Sequence, residues 1–204
     1  MRDLFSIPKK LERIPLQNAE VYYQPDFDLG FPPDLLLRRL IDETPWRQEN
    51  INVWGRTHQQ PRLVAWYGDA GKSYSYSGIK LDPLPWTEIL LNIRDKIERA
   101  TDLNFNSVLL NFYRDNNDSM GLHSDDEKEL GSKPSIASVS LGASRPLTFK
   151  SKIDFRKKPV KIILRSGSLL LMKGDTQHNY KHGIAKERQA LGPRVNLTFR
   201  TIFS

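Results

Sequence analysis

The chain of 204 residues contains no cysteine. Disulfides, thiolate-bound zinc and iron–sulfur clusters are therefore excluded, and any metal site must be built from nitrogen and oxygen ligands. No apolar run approaches the roughly 18 residues that a membrane-spanning helix needs, and the N-terminal MRDLFSIPKK lacks the apolar core of a secretory signal. We expect a protein that is not secreted and has no membrane partner, cytoplasmic in a prokaryote or nuclear in a eukaryote.

Length and composition fit one globular domain, because 38% of the residues are hydrophobic and 27% are charged. Residues 1–32 bear prolines and are weakly patterned, which predicts an N-terminal arm or extension. A single domain should then cover residues 33–204, in a protein that acts as a monomer. Pro33 favours the first turn of a helix that runs to about Asp42, and the apolar spacing from Glu88 to Ala100 predicts an amphipathic helix.

Short β-rich segments separated by Gly, Pro, Asn and Asp dominate the remainder of the chain. They are Ser107–Arg114, Ile136–Leu141, Leu147–Lys150, Val160–Leu164, Ser168–Met172 and Val195–Phe203. Many short strands that follow helices are typical of a two-sheet jelly roll supported by helices. The predicted class is α+β, with the jelly-roll (double-stranded β-helix) core at about residues 105–204.

Basic residues are concentrated in the last third of the chain. Residues 145–204 hold 14 Lys and Arg against 3 Asp and Glu, a net charge of +11, whereas the first 144 residues carry a net charge of −4. The run 145–165 alone holds eight basic residues and one acid, Asp154. This clustering predicts either a phosphate-binding surface or a solvated basic loop, and charge alone does not separate the two.

The motif His123-Ser124-Asp125 offers two metal ligands two residues apart. On an extended segment both side chains leave the same face, so they can chelate one ion. A second imidazole must come from far along the chain, from His182 or from His178. Two imidazoles and one carboxylate are the ligand set of non-haem Fe(II) sites with open positions. The arginine-bearing strand that follows at a short interval favours His182.

The segment RVNLTFR alternates apolar and polar residues in the way of a strand with two different faces. Arg194, Asn196, Thr198 and Arg200 share one face, and Asn111 and Tyr113 share the polar face of an earlier strand. Such a strand is either half exposed to water or lines the inside of an open roll. In the second case the buried arginines need an anion to neutralise them, and a small dicarboxylate would suit guanidinium geometry.

Taken together, the chain from about Val53 onward resembles the AlkB family of Fe(II)- and 2-oxoglutarate-dependent nucleic-acid dealkylases, and it resembles most the members that act on duplex DNA. The blocks that carry the resemblance are NVWGRTHQQPR, YGDAGKSYSYSG, NFYRDNNDSMGLHSDDE, SIASVSLGASRPLTF, GSLLLMKGDTQHNYKHGI and RVNLTFR. The resemblance implies that His123, Asp125 and His182 bind and use Fe(II). It also implies a 2-oxoglutarate site made of Asn111, Tyr113, Arg194, Asn196, Thr198 and Arg200, with O₂ as the second cosubstrate.

The resemblance implies substrate residues as well, in a nucleotide-recognition lid at about residues 50–80. Tyr74, Tyr76 and Ser77 would pack the target base, and Asp126 would read it, oriented by Arg62. Trp54 and Gly55, with the neighbouring Arg56, correspond to a finger that fills the gap left by an extruded base. The ordinary alternatives are core tyrosines, a surface ion pair and a core tryptophan.

The implied activity is oxidative demethylation of 1-methyladenine and 3-methylcytosine in duplex and single-stranded DNA, with release of formaldehyde, succinate and CO₂. The nearest alternative is the same chemistry on RNA, or on single strands only. A catalytically silent nucleic-acid-binding module and an oxygenase acting on protein or small molecules are alternatives from other classes.

Overall fold

The structure is a computed structural model that describes residues 10–53, 56–71, 74–76, 79–81 and 83–203; within it, residues 51–53, 56, 74–76 and 79–81 are described by their backbone alone. The strands of this part of the chain are, in order, β1 (Glu12–Ile14), β2 (Glu20–Gln24), β3 (Asn50–Val53), β4 (Arg56–Gln59), β5 (Leu63–Gly68), β6 (Tyr74–Tyr76), β7 (Ile79–Leu81), β8 (Ser107–Tyr113), β9 (Met120–His123), β10 (Ile136–Gly142), β11 (Arg145–Ser151), β12 (Val160–Leu164), β13 (Ser168–Lys173), β14 (Tyr180–Ile184) and β15 (Arg194–Arg200).

Two antiparallel sheets form the body of the fold. The larger has seven strands in the order β1-β2-β13-β10-β15-β8-β5, and the smaller has four in the order β12-β11-β14-β9. Strands β3 and β4, and strands β6 and β7, form separate two-stranded hairpins. The two-sheet arrangement confirms the predicted jelly roll, and all the strands predicted from the β-rich segments are present.

Helices cover the outer face of the larger sheet. Helix α1 (Pro33–Glu43) begins with the predicted proline, and α2 (Glu88–Thr101) is capped by the Thr87 side chain, which accepts a hydrogen bond from the Leu90 amide. A single turn, α3 (Thr176–Asn179), lies between β13 and β14. Each predicted long helix is confirmed to within one residue. In the described ranges, no helix is both long enough and apolar enough to cross a bilayer.

The apolar and polar residues of β15 face different layers of the molecule. Val195, Leu197 and Phe199 belong to the cluster that packs under the helices. Because side chains alternate along a strand, the other four residues of β15 point to the opposite side, between the two sheets. All seven residues of β15 are buried, which rules out the half-exposed alternative for this strand.

Strands β1 and β2, which precede α1, are part of the larger sheet. Strand β2 pairs with β13 along its whole length, from Glu20 opposite Lys173 to Gln24 opposite Leu169. The Val21 side chain is fully buried in the cluster between the sheets. Residues 12–24 therefore contribute strands and core to the jelly roll.

Candidate metal centre

Strands β9 and β14 of the smaller sheet bring the two histidines together. His123 and His182 are direct cross-strand partners, and their ring centroids are 4.4 Å apart. Directly opposite residues on one sheet face are close enough to share a ligand. Neither strand was predicted from the sequence, because MGLH and YKHGI contain glycine and few β-branched residues.

Asp125 lies just beyond the end of β9 and completes a cluster of three ligands. Its Oδ1 is 3.7 Å from His123 Nε2 and its Oδ2 is 3.6 Å from His182 Nε2, and potential ligand atoms of all three residues lie within 4.8 Å of one another. Two atoms that bind one ion at 2.0–2.2 Å are separated by at most about 4.4 Å, and both distances between Asp125 and the histidines are below this limit. His178 is exposed, with its Nε2 2.6 Å from the Ser132 carbonyl oxygen, so the structure places His182 in the cluster.

The donor atoms of this cluster are prepared for a metal cation. The Oδ2 atom of Asp125 is buried and has no hydrogen-bond partner among the described residues. His123 Nδ1 lies 2.9 Å from the Gly121 carbonyl oxygen, which only accepts, so Nδ1 is the donor of this contact and Nε2 is the nitrogen left to bind a metal. The donor set, two imidazoles and one carboxylate, fits non-haem Fe(II).

Burial and neighbouring charges keep both buried ligands in their metal-binding protonation states. Burial alone would raise the pKa of the Asp125 carboxyl, but the Arg200 guanidinium and the two imidazoles lower that pKa to about 2. Burial lowers the pKa of the His182 imidazole to about 3. At neutral pH the carboxylate is therefore charged and the imidazole neutral, the forms that coordinate a cation.

Two further contacts hold Asp125 in place. Arg200 donates a hydrogen bond of 2.9 Å to Asp125 Oδ1, and the Gln177 side-chain carbonyl accepts one of 3.0 Å from the Asp125 backbone amide. Both partners are buried. Arg200 thus lies beside the metal ligand, at the near end of the polar face of β15.

The pocket beside the three ligands lies between the two sheets and is lined by the polar faces of β15 and β8. The residues assigned to 2-oxoglutarate by resemblance all line it: Asn111, Tyr113, Arg194, Asn196, Thr198 and Arg200. Asn196 is opposite Asn111 in the strand register, and its amide donates to Ser138 Oγ at 2.8 Å.

Arg194 is the residue of this pocket that most needs an anion. It is 1% exposed, it donates to Ser140 Oγ at 3.0 Å, and its guanidinium lies 4.9 Å from the centre of the Tyr113 ring. Its Nε and Nη1 have no hydrogen-bond partner among the described residues. Burial lowers the pKa of this guanidinium, and the nearby Arg145 lowers it further. A carboxylate bound here would remove the energetic penalty of a buried cation, so the charge and the donor groups of the pocket suit 2-oxoglutarate.

Arg145 corrects one part of the sequence interpretation. It belongs to the basic run 145–165, yet it is 1% exposed. Its guanidinium donates to the carbonyl oxygens of Asp115, Asp118 and Ala185. Arg145 therefore ties the loop after β8 to the loop after β14 and is not part of a phosphate-binding surface. Nothing in the local sequence distinguishes it from its exposed basic neighbours.

The residues assigned to the substrate are described only in part. Trp54, Gly55 and Ser77 lie outside the described residues, as do the side chains of Arg56, Tyr74 and Tyr76. Their proposed roles stay predictions.

Arg62 and Asp126 are both described. Arg62 is buried and donates to Asn111 Oδ1 at 2.7 Å, so it braces a residue of the 2-oxoglutarate pocket. Asp126 is more than half exposed, and its Oδ2 lies 3.6 Å from Lys152 Nζ. The expected pairing of Arg62 with Asp126 stays a prediction.

Lys152 and Gln177 are functional neighbours that no local sequence signal marks. Lys152 Nζ also donates to Ser124 Oγ and to the Gln177 carbonyl oxygen, at 3.3 and 3.2 Å. These contacts join the end of β11 to the loop that carries Asp125. The adjacency of KSK to the ligand strand appears only after folding, because β11 pairs with β14 at Phe149 opposite His182.

A glycine on β14 controls how closely the two ligand strands approach. A Cβ atom on Gly183 would lie 2.8 Å from the carbonyl oxygens of both Met120 and Gly121, whereas a Cβ on Gly121 would meet nothing within 4 Å. We expect Gly183→Ala to displace β9, to destabilise the protein by about 1–3 kcal/mol and to weaken Fe(II) binding. Gly121→Ala, the same change on the partner strand, should do neither. Thermal unfolding with and without Fe(II) measures both effects, and equal behaviour of the two variants would contradict the role given to Gly183.

Comparisons with known proteins place this site in context. A family model described as the 2OG-Fe(II) oxygenase superfamily matches residues 33–200. The chain is 45% identical over 184 residues to the alpha-ketoglutarate-dependent dioxygenase alkB homolog 3 of Mus musculus, and this match covers 83% of the chain and 62% of the relative. The chain therefore spans about three fifths of that relative's length.

Two more similarities concern function and fold. The chain is 43% identical over 178 residues to the DNA oxidative demethylase ALKBH2 of Mus musculus, a match that covers 83% of the chain and 74% of the relative. A solved structure of OsALKBH1 superposes with a TM-score of 0.63 at 19% identity and covers 89% of this chain and 97% of that one. This second likeness concerns the fold alone.

Proposed function

The chain belongs to the 2OG-Fe(II) oxygenase superfamily and, within it, to the AlkB family, and we propose that it repairs DNA by oxidative removal of N-linked methyl groups from bases. The substrates of this proposal are 1-methyladenine and 3-methylcytosine in duplex and single-stranded DNA, and the acting form is a monomer. The observation that carries the proposal is the cluster of His123, Asp125 and His182 beside a buried arginine with unsatisfied donors.

The residues of the site divide into two groups by what they would hold. His123, Asp125 and His182 would bind Fe(II), and Arg194 would pair with a carboxylate of 2-oxoglutarate inside the pocket. When bound, Fe(II) and 2-oxoglutarate would supply, with oxygen, the oxidising power to hydroxylate the methyl carbon; 2-oxoglutarate would leave as succinate and CO₂, and the hydroxymethyl group as formaldehyde.

The protein's own contribution is orientation and shielding from water. Arg200 fixes the direction of the Asp125 carboxylate through its 2.9 Å hydrogen bond. Asn111 is held by Arg62, and Asn196 by Ser138 and the Val139 carbonyl oxygen. These hydrogen bonds set the shape of the pocket before any ligand enters, so little ordering is needed when a ligand binds.

Charge near the mouth of the site suits a base that carries a positive charge. Asp126 follows the iron ligand directly and its side chain is 59% exposed, so its carboxylate, which lies 3.6 Å from Lys152 Nζ, can still be reached by a cationic methylated base. The basic residues of the run 145–165, apart from the buried Arg145, suit the phosphates of the strand that carries this base. A base inside a duplex has to be turned out of the stack to reach the iron site.

A lesion panel tests the proposal. Formaldehyde and succinate are measured with Fe(II), 2-oxoglutarate and oxygen for 1-methyladenine and 3-methylcytosine, each placed in duplex DNA, single-stranded DNA and RNA. We expect turnover on both DNA forms and none on unmethylated strands. Activity confined to RNA would replace DNA repair with the same chemistry on RNA. Absence of product from every methylated strand would favour a silent binding module or a different oxygenase substrate.

A further inference from the structure

The tip of the β11–β12 hairpin exposes two large apolar side chains. Phe155 is 78% exposed and Ile153 is 62% exposed. Four of the eight exposed large hydrophobic residues in the described part of the chain lie between residues 153 and 163. Single exposed apolar residues are common on proteins, but such a concentration in one short segment marks a contact surface.

Local hydrogen bonds give this tip a defined conformation. Ser151 Oγ accepts from the amides of Ile153 and Asp154 at 3.2 and 3.0 Å, and Asp154 Oδ1 accepts from the Arg156 amide at 3.1 Å. The Lys152 amide donates to the Asn179 carbonyl oxygen. Phe155 is therefore presented on an ordered turn, and its exposure is a property of the folded hairpin. Binding to such a preformed tip loses little conformational entropy.

Positive charge surrounds the apolar tip. The segment 150–165 carries seven basic residues and one acid. Six of the seven are exposed: Lys150, Arg156, Lys157, Lys158, Lys161 and Arg165. Exposed Lys150 also lies directly opposite exposed Lys181 across β11 and β14. Like charges at directly opposite positions destabilise a sheet, so this arrangement favours a polyanionic partner.

The hairpin is connected directly to the iron site. Phe149 of β11 pairs with His182, and Lys152 at the start of the tip contacts the carboxylate of Asp126. A nucleic-acid strand that delivers a base to the iron would therefore pass near this hairpin.

Protection of a sheet edge explains only part of these features. Strand β12 is an edge strand of the smaller sheet, and lysines on an edge discourage pairing with other chains. That role accounts for Lys161. It does not account for Phe155 and Ile153, because exposed apolar residues beyond the strand ends promote association instead of preventing it.

We propose that Phe155, with Ile153 two residues before it, is a platform on which a base of an extended single-stranded segment stacks. The phosphate contacts of the surrounding basic residues belong to the proposed function; the stacking platform is the addition. An aromatic side chain among cations suits this ligand, since every base has a face that stacks and every linkage carries a charge. The inference rests on the proposed function and adds a second point of contact, outside the iron site, on the same nucleic acid.

The test uses binding, so that it does not depend on turnover. Fluorescence anisotropy with an unmethylated single-stranded DNA oligonucleotide gives the affinity of each variant over a series of salt concentrations. Phe155→Ala should weaken binding by about five- to 160-fold with an unchanged salt slope, and Phe155→Trp should retain it. Phe31→Ala is the matched control, because Phe31 is an exposed phenylalanine just before helix α1, outside the β11–β12 hairpin.

A charge variant separates phosphate binding from stacking. The double variant R156A/K158A should reduce the salt slope by up to about 1.4, at roughly 0.7 for each phosphate of a single strand that is no longer neutralised. The control R38A/R99A removes two exposed charges from α1 and α2 and should leave the slope unchanged.

The outcomes distinguish this inference from the proposed function. An unchanged affinity of Phe155→Ala would overturn the inference even if the lesion panel shows full demethylase activity. A loss that appears equally in Phe31→Ala would overturn it as well. Binding of the wild-type protein to anionic lipid vesicles, lost in Phe155→Ala while binding to DNA is unaffected, would replace the nucleic acid with a membrane. A selective loss on DNA supports the inference whatever the result of the lesion panel.

Discussion

Asp125→Ala should abolish turnover, with a fall of more than about three orders of magnitude in formaldehyde release. The substitution removes the one carboxylate of the cluster and leaves two imidazoles, which carry no negative charge to balance Fe(II). It also removes the ion pair between Arg200 and Asp125, in which the guanidinium lies 2.9 Å from the carboxylate oxygen. Breaking a buried ion pair in this way destabilises a protein by about 3–5 kcal/mol. Thermal unfolding should therefore show a lower melting temperature together with the loss of iron-dependent stabilisation.

The affinity of the Asp125→Ala variant for DNA distinguishes loss of the metal site from unfolding of the protein. At a temperature well below the unfolding transition, the Asp125→Ala variant should bind a single-stranded oligonucleotide nearly as well as the wild type. The basic residues of the β11–β12 hairpin, which are proposed to contact it, do not depend on the carboxylate. Asp175→Ala, which removes a half-exposed aspartate paired with Lys133, should leave turnover unchanged. Retained turnover in Asp125→Ala would remove this residue from the metal site.

Arg194→Met should raise the KM for 2-oxoglutarate by more than about 100-fold, because a buried charge pair is worth several kcal/mol to the ligand it holds. The same change should stabilise the ligand-free protein. The wild-type guanidinium is buried with two unsatisfied nitrogens, and replacing buried charge with an apolar side chain of similar length often stabilises by about 1–4 kcal/mol. Steady-state kinetics and the melting temperature of ligand-free protein measure the two effects.

The opposite signs of these effects identify the function of Arg194. A purely structural arginine would lower the melting temperature when it is removed, and a purely catalytic one would lower kcat at saturating 2-oxoglutarate. Arg194→Lys should recover part of the cosubstrate affinity by keeping the charge. Arg38→Met, on the exposed face of α1, should change neither quantity. A normal KM in Arg194→Met would place the carboxylate of 2-oxoglutarate elsewhere in the pocket.

Alternation predicted which residues of RVNLTFR share a face, but it left open whether that face is exposed to water or lines a pocket. The pattern of RVNLTFR placed Arg194, Asn196 and Thr198 on one face, and the structure buries that face between the sheets. The helices were also predictable, because the apolar spacing of α2 and the proline of α1 are local signals. Features that depend on signals within about ten residues of one another could therefore be predicted from the sequence.

Features that depend on strand pairing between distant segments could not be predicted from such local signals. Strands β9 and β14 carry the two histidines on segments with little β propensity, and the pairing of β9 with β14 and of β14 with β11 defines them. Arg145 and Arg156 belong to the same basic run, yet one is buried under three carbonyl oxygens and the other is almost fully exposed. Arg145 lies in β11 and points inward, whereas Arg156 lies in the turn between β11 and β12. Composition and charge counts carry no information on this difference.

Strand β2 has a consequence for where this protein can be shortened. The family match begins at residue 33, but β13 has β2 as its neighbour on one side, and Val21 fills part of the core between the sheets. A truncated chain that starts at residue 33 would leave the amides and carbonyls of β13 uncovered on that side and open a hole beneath them. An unpaired sheet edge of this kind promotes aggregation by pairing with strands of other molecules. The shortest fragment that remains monomeric must therefore include β2 and be longer than the segment matched by the family model.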